Sequence, residues 1–278
     1  MSKECISALC YANGMHCLKL AVVGKSMHPR VLKECMRQLP VIYYHSKNTR
    51  FNCEIFDDWL LKHFIPDVRK YQEEVMKLDS EDIKAILQIH NVPAHPSAEK
   101  LISSNGKIHA LFLPPNTTSI IQPMDQGVIV SCKRLYQRGY LDEVLVVLED
   151  EDDDVNNTRG ICTLANIKKY NLKSAIFNFA AAWKDVKIST LDNSWKKLLL
   201  DTEPELDFEG FEVTNFHCVL HHGRENNKTM EDVETWLEEN EGDPGYQLLL
   251  AEEIADVVCA VDKEDDDAKS SEGEESCV

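Results

Sequence analysis

Three side chains in the first half of the chain have residue types that bind metal ions in proteins. His90 ends a short apolar run, His95 follows it closely, and thirty-four residues separate His90 from Asp125. Imidazole nitrogens and a carboxylate can bind zinc or manganese together. The alternative is that the histidines only form hydrogen bonds and that Asp125 caps a helix or bonds to the preceding loop. We favour this alternative, in which the group holds no metal.

A second group of such residues lies near residue 220. His217, Cys218, His221 and His222 form an H-C-x-x-H-H cluster whose spacing suits part of a zinc site. A zinc finger needs a further pair of ligands at short spacing, and no C-x-x-C pair occurs in the chain. We therefore interpret the cluster as a loop without a metal.

A short basic stretch follows Asp125. Lys133, Arg134 and Arg138 lie in a segment with helical patterning, interleaved with Tyr136 and Tyr140. Such cations can contact the phosphates of a nucleic acid, and aromatic rings can stack on its bases. The same residues equally suit the solvated end of an ordinary helix, so both interpretations stay open.

Strands that would position the first group are indicated by short apolar runs. Residues 6–13 and 17–24 are two such runs with Asn13-Gly14 between them, which predicts a hairpin. Residues 85–90 and 108–113 have the composition of buried strands. The hairpin and the two buried strands predict a mixed sheet.

Helices are predicted between and after these strands. An apolar stripe from Phe56 to Phe64 has helical spacing, with Asn52 as the N-cap and Pro66 ending or restarting the helix. A short polar helix is expected at 97–103 and a longer one at 124–136. The fold class is thus α/β, with helices on the faces of the sheet.

Charge divides the chain into unequal halves. The net charge is −18, yet residues 1–140 carry 18 basic and 13 acidic side chains, whereas residues 141–278 carry 12 and 35. We predict an α/β domain over 1–140, an acidic linker at 141–165, a helical region at 166–261 and a disordered acidic tail at 262–278. No apolar run is long enough to span a membrane.

Two segments resemble the active-site motifs of a known family. IHNVPAHP at 89–96 and LFLPPNTTSIIQPMDQGVI at 111–129 are similar to the second and third motifs of the DDE endonucleases of the Tigger/Jerky (pogo-like) class. The family forms of these motifs are DNAPAHP and LPPNTTSLIQPMDQGVI. The likeness extends over roughly residues 2–261.

The resemblance implies an RNase H-like fold in which active members use three carboxylates to hold two Mg²⁺ ions. Asp125 matches the third carboxylate, but His90 stands where the second belongs. The first belongs to a DET-like motif upstream of the hairpin, and no such motif precedes Ile6. A neutral imidazole supplies no charge for Mg²⁺. The resemblance therefore implies a degenerate site with no catalysis and no cofactor.

On this basis we expect a transposase-derived protein of the nucleus with weak residual DNA binding, no membrane association and no small-molecule substrate. One alternative is a protein-interaction scaffold that uses the acidic helical half. Another is a fragment of a longer DNA-binding protein of this class. The first strand of the sheet is expected to be missing, so either the hairpin moves to pair with the strand at 85–90 or the sheet is incomplete.

Overall fold

A computed structural model of the chain describes residues 6–90, 95–114, 121–145, 153–200, 207–223 and 225–238. The strands predicted from the apolar runs are present, and β3 is an additional one. They are β1 (Ser7–Leu9), β2 (Ala21–Gly24), β3 (Ile42–His45), β4 (Ala85–Ile89) and β5 (Ile108–Phe112).

The predicted hairpin is confirmed. Strand β1 pairs antiparallel with β2, and an isolated bridge joins Ala12 to Cys17 nearer the turn. The side-chain oxygen of Asn13 accepts hydrogen bonds from the backbone N–H groups of Met15 and His16. Asn13 therefore closes the turn through its own side chain, which is a common role of asparagine in turns.

The strands form two small sheets rather than the single mixed sheet that was expected. Strand β2 pairs parallel with β3 in the first sheet, and β4 pairs parallel with β5 in the second. Within the described ranges, the hairpin does not move across to pair with β4. The two sheets are connected by packing on shared helices instead of by a continuous hydrogen-bond ladder.

The helices are longer and more numerous after the second sheet. They are α1 (Cys53–Trp59), α2 (Ile65–Glu74), α3 (Val128–Val144), α4 (Asp153–Lys169), α5 (Leu172–Lys184), α6 (Ile188–Ser194), α7 (Lys196–Leu200), α8 (Val213–His222) and α9 (Met230–Glu238). A π-helical turn at Leu60–Phe64 joins α1 to α2, and Pro66 lies in the first turn of α2 directly after it. The N-cap role of Asn52 is confirmed, because its side chain accepts from the N–H of Ile55 at 2.9 Å.

The predicted helix at 97–103 is wrong. Residues 98–100 form a turn, and the chain after them pairs with β5 through a bridge between Ile102 and His109. The backbone N–H of Ser103 donates to the carbonyl of Ile108, and the N–H of Ala110 donates to Leu101. Pairing with β5 satisfies these backbone groups, so a helix is not needed there.

Two cores lie on opposite faces of the first sheet. Leu20 and Val22 face a core that contains the 3₁₀ turns between β2 and β3 and residues of α3, α5 and α6. Ala21 faces the second core, which α1, α2 and the inner face of the second sheet complete. The alternating residues of β2 thus enter different cores, as strand geometry requires.

The helices that follow residue 140 and precede Glu238 pack with the first half of the chain. The range predicted as a linker, 141–165, contains the end of α3 and most of α4, and Met1–Leu237 cluster as one compact unit. A third core around Phe216 joins α3 to α8 and α9. The predicted tail at 262–278 lies outside the described residues. None of the helices described is long and apolar enough to cross a membrane.

Candidate functional site

His90 and His95 come together at the carboxyl end of β4. His90 directly follows Ile89, and the ring centres of His90 and His95 are 5.1 Å apart at an interplanar angle of 77°. The ring of His95 also meets Phe56 of α1 edge-to-face at 4.4 Å and lies 6.4 Å from Phe112 of β5. An aromatic pocket built from β5 and α1 therefore holds His95 against His90.

This pocket keeps both rings neutral near pH 7. Burial lowers the pKa of His90. Burial, and then the nearby His90, lower the pKa of His95 to about 4. Both ring nitrogens of His95 are buried and have no hydrogen-bond partner among the described residues. The pair therefore contributes nitrogen lone pairs but no charge.

Asp125 lies in a 3₁₀ turn, Pro123–Asp125, just before α3. The expectation that Asp125 caps the helix is wrong, because Gly127 occupies the N-cap with a left-handed φ of 91° and no side-chain cap is made. The other expected contact, to the preceding loop, is made by the backbone N–H of Asp125, which donates to Gln122 at 3.0 Å. Asp125 is exposed as a residue, but partial burial of its carboxyl raises the pKa of that group, and the charge of Lys133 opposes this shift.

The three basic residues predicted to bind nucleic acid lie on α3. Arg134 packs its guanidinium on the ring of Phe208 at 3.9 Å, and its buried Nε has no hydrogen-bond partner in the described part of the chain. Arg138 forms an i,i+4 ion pair with Asp142 at 3.1 Å. Two of these three cations, Arg134 and Arg138, are therefore engaged by groups of the protein itself.

A second basic surface was not predicted from the sequence. Residues 25–50 contain six lysines and arginines but one acidic residue, Glu34. Arg30, Lys33 and Arg37 are exposed on the outer side of the 3₁₀ turns whose inner side buries Leu32 and other apolar residues. Counting charge over whole halves hid this segment, whereas counting over short segments would have found it.

The H-C-x-x-H-H cluster is helical rather than a loop. Its residues lie on α8, which a reciprocal capping box between Glu212 and Asn215 begins and which Phe216 anchors in the third core. The predicted loop is wrong because α8 is amphipathic: Val213, Val219 and Leu220 pack beside Phe216 against the third core, and the capping box begins the helix.

Comparison with protein families decides which family the chain belongs to. Residues 3–195 match the DDE superfamily endonuclease family. The chain is a member of this family, of the Tigger/Jerky type. The match begins at the hairpin and ends just after α6, so it includes His90, Asp125 and both cores of the first sheet.

The curated relatives of this DDE-family chain include Tigger and Jerky proteins. The chain is 43% identical to the human Tigger transposable element-derived protein 7 over 87% of its own length and 44% of that protein. It is 31% identical to the human Jerky protein homolog over 76% of its length, and 30% identical to the mouse Jerky protein over 70%. It thus spans less than half the length of these relatives. No solved structure matches.

The residues of this DDE-family chain do not fit the Mg²⁺ pair of an active member. Mg²⁺ requires hard oxygen ligands in near-octahedral geometry, whereas the position after β4 holds the neutral ring of His90. In the part of the chain that the structure describes, no three His, Cys, Asp or Glu side chains converge on a point that could hold a metal.

Proposed function

We propose that this DDE-family chain is a transposase-derived protein that does not cleave DNA and binds duplex DNA weakly in the nucleus. The observation that carries the proposal is the histidine at position 90, where the family pattern requires a carboxylate. Two-metal cleavage needs bridging negative charge to activate water and to stabilise the leaving oxygen. The neutral His90 and His95 cannot supply it.

The proposed fold is an RNase H-like sheet that the described residues form only in part. The free edge of β1 and the free edge of β4 would flank the first strand in such a sheet. The packing of both sheets on α1 and α2 supports this arrangement, since it holds the two halves together without a shared ladder. Its test is amide hydrogen exchange across residues 6–24, for which slow exchange throughout β1 would argue against an open edge.

DNA binding is proposed to reside mainly in residues 25–50 rather than on α3. The cations Arg30, Lys33 and Arg37 are exposed, whereas Arg134 and Arg138 are engaged with Phe208 and Asp142. Phosphate contacts are electrostatic and release counterions, so the affinity should fall steeply as salt is added. Such contacts carry little sequence information, which suits weak binding without a defined target.

The test is to measure the affinity for a short duplex as a function of salt concentration. Replacing Arg30, Lys33 and Arg37 together by Gln should weaken binding and reduce the salt slope by about 2 to 3, since each lost phosphate contact lowers it by about 0.9. The matched control replaces three exposed lysines with the same change of charge. These are Lys70, Lys84 and Lys100.

Equal losses of DNA affinity in the two triple variants would show that DNA binding depends only on net charge. This result would overturn the assignment of DNA binding to residues 25–50. No salt-dependent binding by the unmodified chain would overturn DNA binding itself. That result would favour the alternative of an interaction scaffold, which a pull-down with a defined partner would then have to support.

A further inference from the structure

Helix α8 carries two histidines one turn apart. His217 and His221 are four residues apart in Val213–His222, so their side chains are neighbours on the helix surface. Their ring centres are 5.1 Å apart and the ring planes are tilted by 57°. His217 is half-buried and His221 is exposed. The proposed function uses neither ring.

The separation of these rings suits a single metal ion. Two imidazoles on one tetrahedral metal, each at a metal–nitrogen distance of about 2.0–2.1 Å, have ring centres about 5 Å apart. The observed 5.1 Å meets this requirement without a change in the helix backbone. We propose that His217 and His221 form a two-histidine site for a divalent transition metal, with water completing the coordination.

A hydrogen bond already sets the tautomer of His217. Its Nε2 lies 3.1 Å from the backbone carbonyl oxygen of Lys228 in the connection between α8 and α9. A carbonyl oxygen can only accept, so Nε2 donates the proton and Nδ1 keeps its lone pair. Metal-bound histidines in proteins usually donate their other ring N–H in this way, which orients the ring and increases the basicity of the ligand nitrogen.

The neighbouring His222 is not part of the site. Successive helix residues point about 100° apart around the axis, so the ring of His222 leaves α8 on a different side from His221. Its Nδ1 lies 2.7 Å from the carbonyl oxygen of Cys218 in the same helix. His222 is therefore a matched control: it has the same residue type, on the same helix, outside the pair.

The helix under the site is held firmly. Phe216 is 0% exposed in the third core, and the capping box of Glu212 and Asn215 fixes the first turn. A metal that joins two positions one turn apart then stabilises the folded state by mass action. Neutral imidazoles favour Cu²⁺, Ni²⁺ and Zn²⁺ over Mg²⁺ and Ca²⁺. No third protein ligand converges among the described residues, so the site should bind less tightly than a structural zinc site.

The experiment is a thermal-unfolding titration of the full chain with NiCl₂ or ZnCl₂. A phosphine keeps the cysteines reduced in place of a thiol, because thiols bind these metals. The Tm should rise to a plateau with Ni²⁺ and Zn²⁺ but not with Mg²⁺. His217→Ala and His221→Ala should each remove most of this rise, whereas His222→Ala should keep it. Cysteine thiols elsewhere also bind these metals, so the difference between the variants is the test.

Circular dichroism in EDTA would check that each variant is folded, and His217→Gln or His221→Gln would replace an alanine variant that is not. As a second measurement, NMR should show the ring resonances of His217 and His221 responding to Zn²⁺ before those of His222. The site is overturned if no saturable rise occurs, or if the rise is the same in both single variants as in the wild-type chain.

Discussion

At the residue scale, the ring of His95 is kept neutral by its surroundings. It packs against Phe56 and His90. Burial first, and then the nearby His90, lower the pKa of His95 from 6.5 to about 4. Between these two pH values the unfolded chain binds a proton that the folded chain does not. The contribution of neutral His95 to the free energy of unfolding is therefore fully present above about pH 6.5, and it is lost as the pH decreases towards 4.

Replacing His95 by Phe should remove this pH dependence, because a phenyl ring suits the same aromatic pocket and does not titrate. Unfolding free energies measured between pH 7.5 and 4.5 should fall less in the variant, by on the order of 1 to 3 kcal/mol. The comparison cancels the titration of carboxylates common to both chains. If the free energy of unfolding falls equally with pH in the two proteins, His95 is protonated in the folded chain below about pH 6.5, as it is in the unfolded chain.

The motif positions of His90 and Asp125 stay a prediction from the sequence, and the contacts of the site residues could not be predicted from it. The motif letters alone put His90 and Asp125 at the family's carboxylate positions. The aromatic pocket around His95 depends on α1 and β5, which are distant in sequence. In the same way, no local pattern could indicate that Phe208 would engage Arg134.

At the element scale, the described part of the chain covers one face of the second sheet only. Leu87 and Ile89 of β4 enter the second core, whereas Ile86 is 60% exposed on the opposite face and Leu111 of β5 is 53% exposed beside it. The apolar runs at 85–90 and 108–113 predicted strands buried on both faces. The exposed face carries apolar residues just as the buried face does, so the hydrophobic periodicity of the sequence could not distinguish the two faces.

Two neighbouring substitutions in β4 should distinguish the buried face from the exposed face by their effects on the free energy of unfolding. Leu87→Ala removes a side chain that is 3% exposed and should cost about 2 to 5 kcal/mol of unfolding free energy. Ile86→Ala should change it by no more than about 0.5 kcal/mol, as is usual for an exposed position. Urea denaturation measures both, and a large loss in Ile86→Ala would mean that the outer face is covered.

Local patterns identified the hairpin and the cap at Asn52, since each depends on residues close in sequence. They also predicted a helix at 124–136, but the structure begins it later, at Val128, and ends it later, at Val144. The separation into two sheets was missed because strand pairing depends on distant partners. The turn at 98–100 was mistaken for a helix for the same reason: pairing with β5 decides its structure.

At the scale of the whole molecule, residues on both sides of the change in charge near residue 140 pack in one compact unit, Met1–Leu237. Trp183 of α5 is 4% exposed in the first core, and its indole N–H donates to the carbonyl of Leu18 at 2.8 Å. Ile176 and Leu191 complete the same core against β2. The boundary predicted near residue 140 followed the change in charge, which reports solvation rather than packing.

A chain ending at Leu145 should therefore lack a cooperative unfolding transition, because the first core would lose Ile176, Trp183 and Leu191. A chain ending at Glu238 should keep it, since Met1–Leu237 form one compact unit. Scanning calorimetry compares the two. A sharp transition in the shorter chain would show that the first half folds independently.

The most direct test of the account is metal-dependent nicking of a supercoiled plasmid by the purified chain. With Mg²⁺ or Mn²⁺, we predict no more nicking than in EDTA, and the same background from Asp125→Ala, because His90 leaves the site without its second carboxylate. Nicking that requires metal and disappears in Asp125→Ala would contradict the account and show that the site is still a working nuclease.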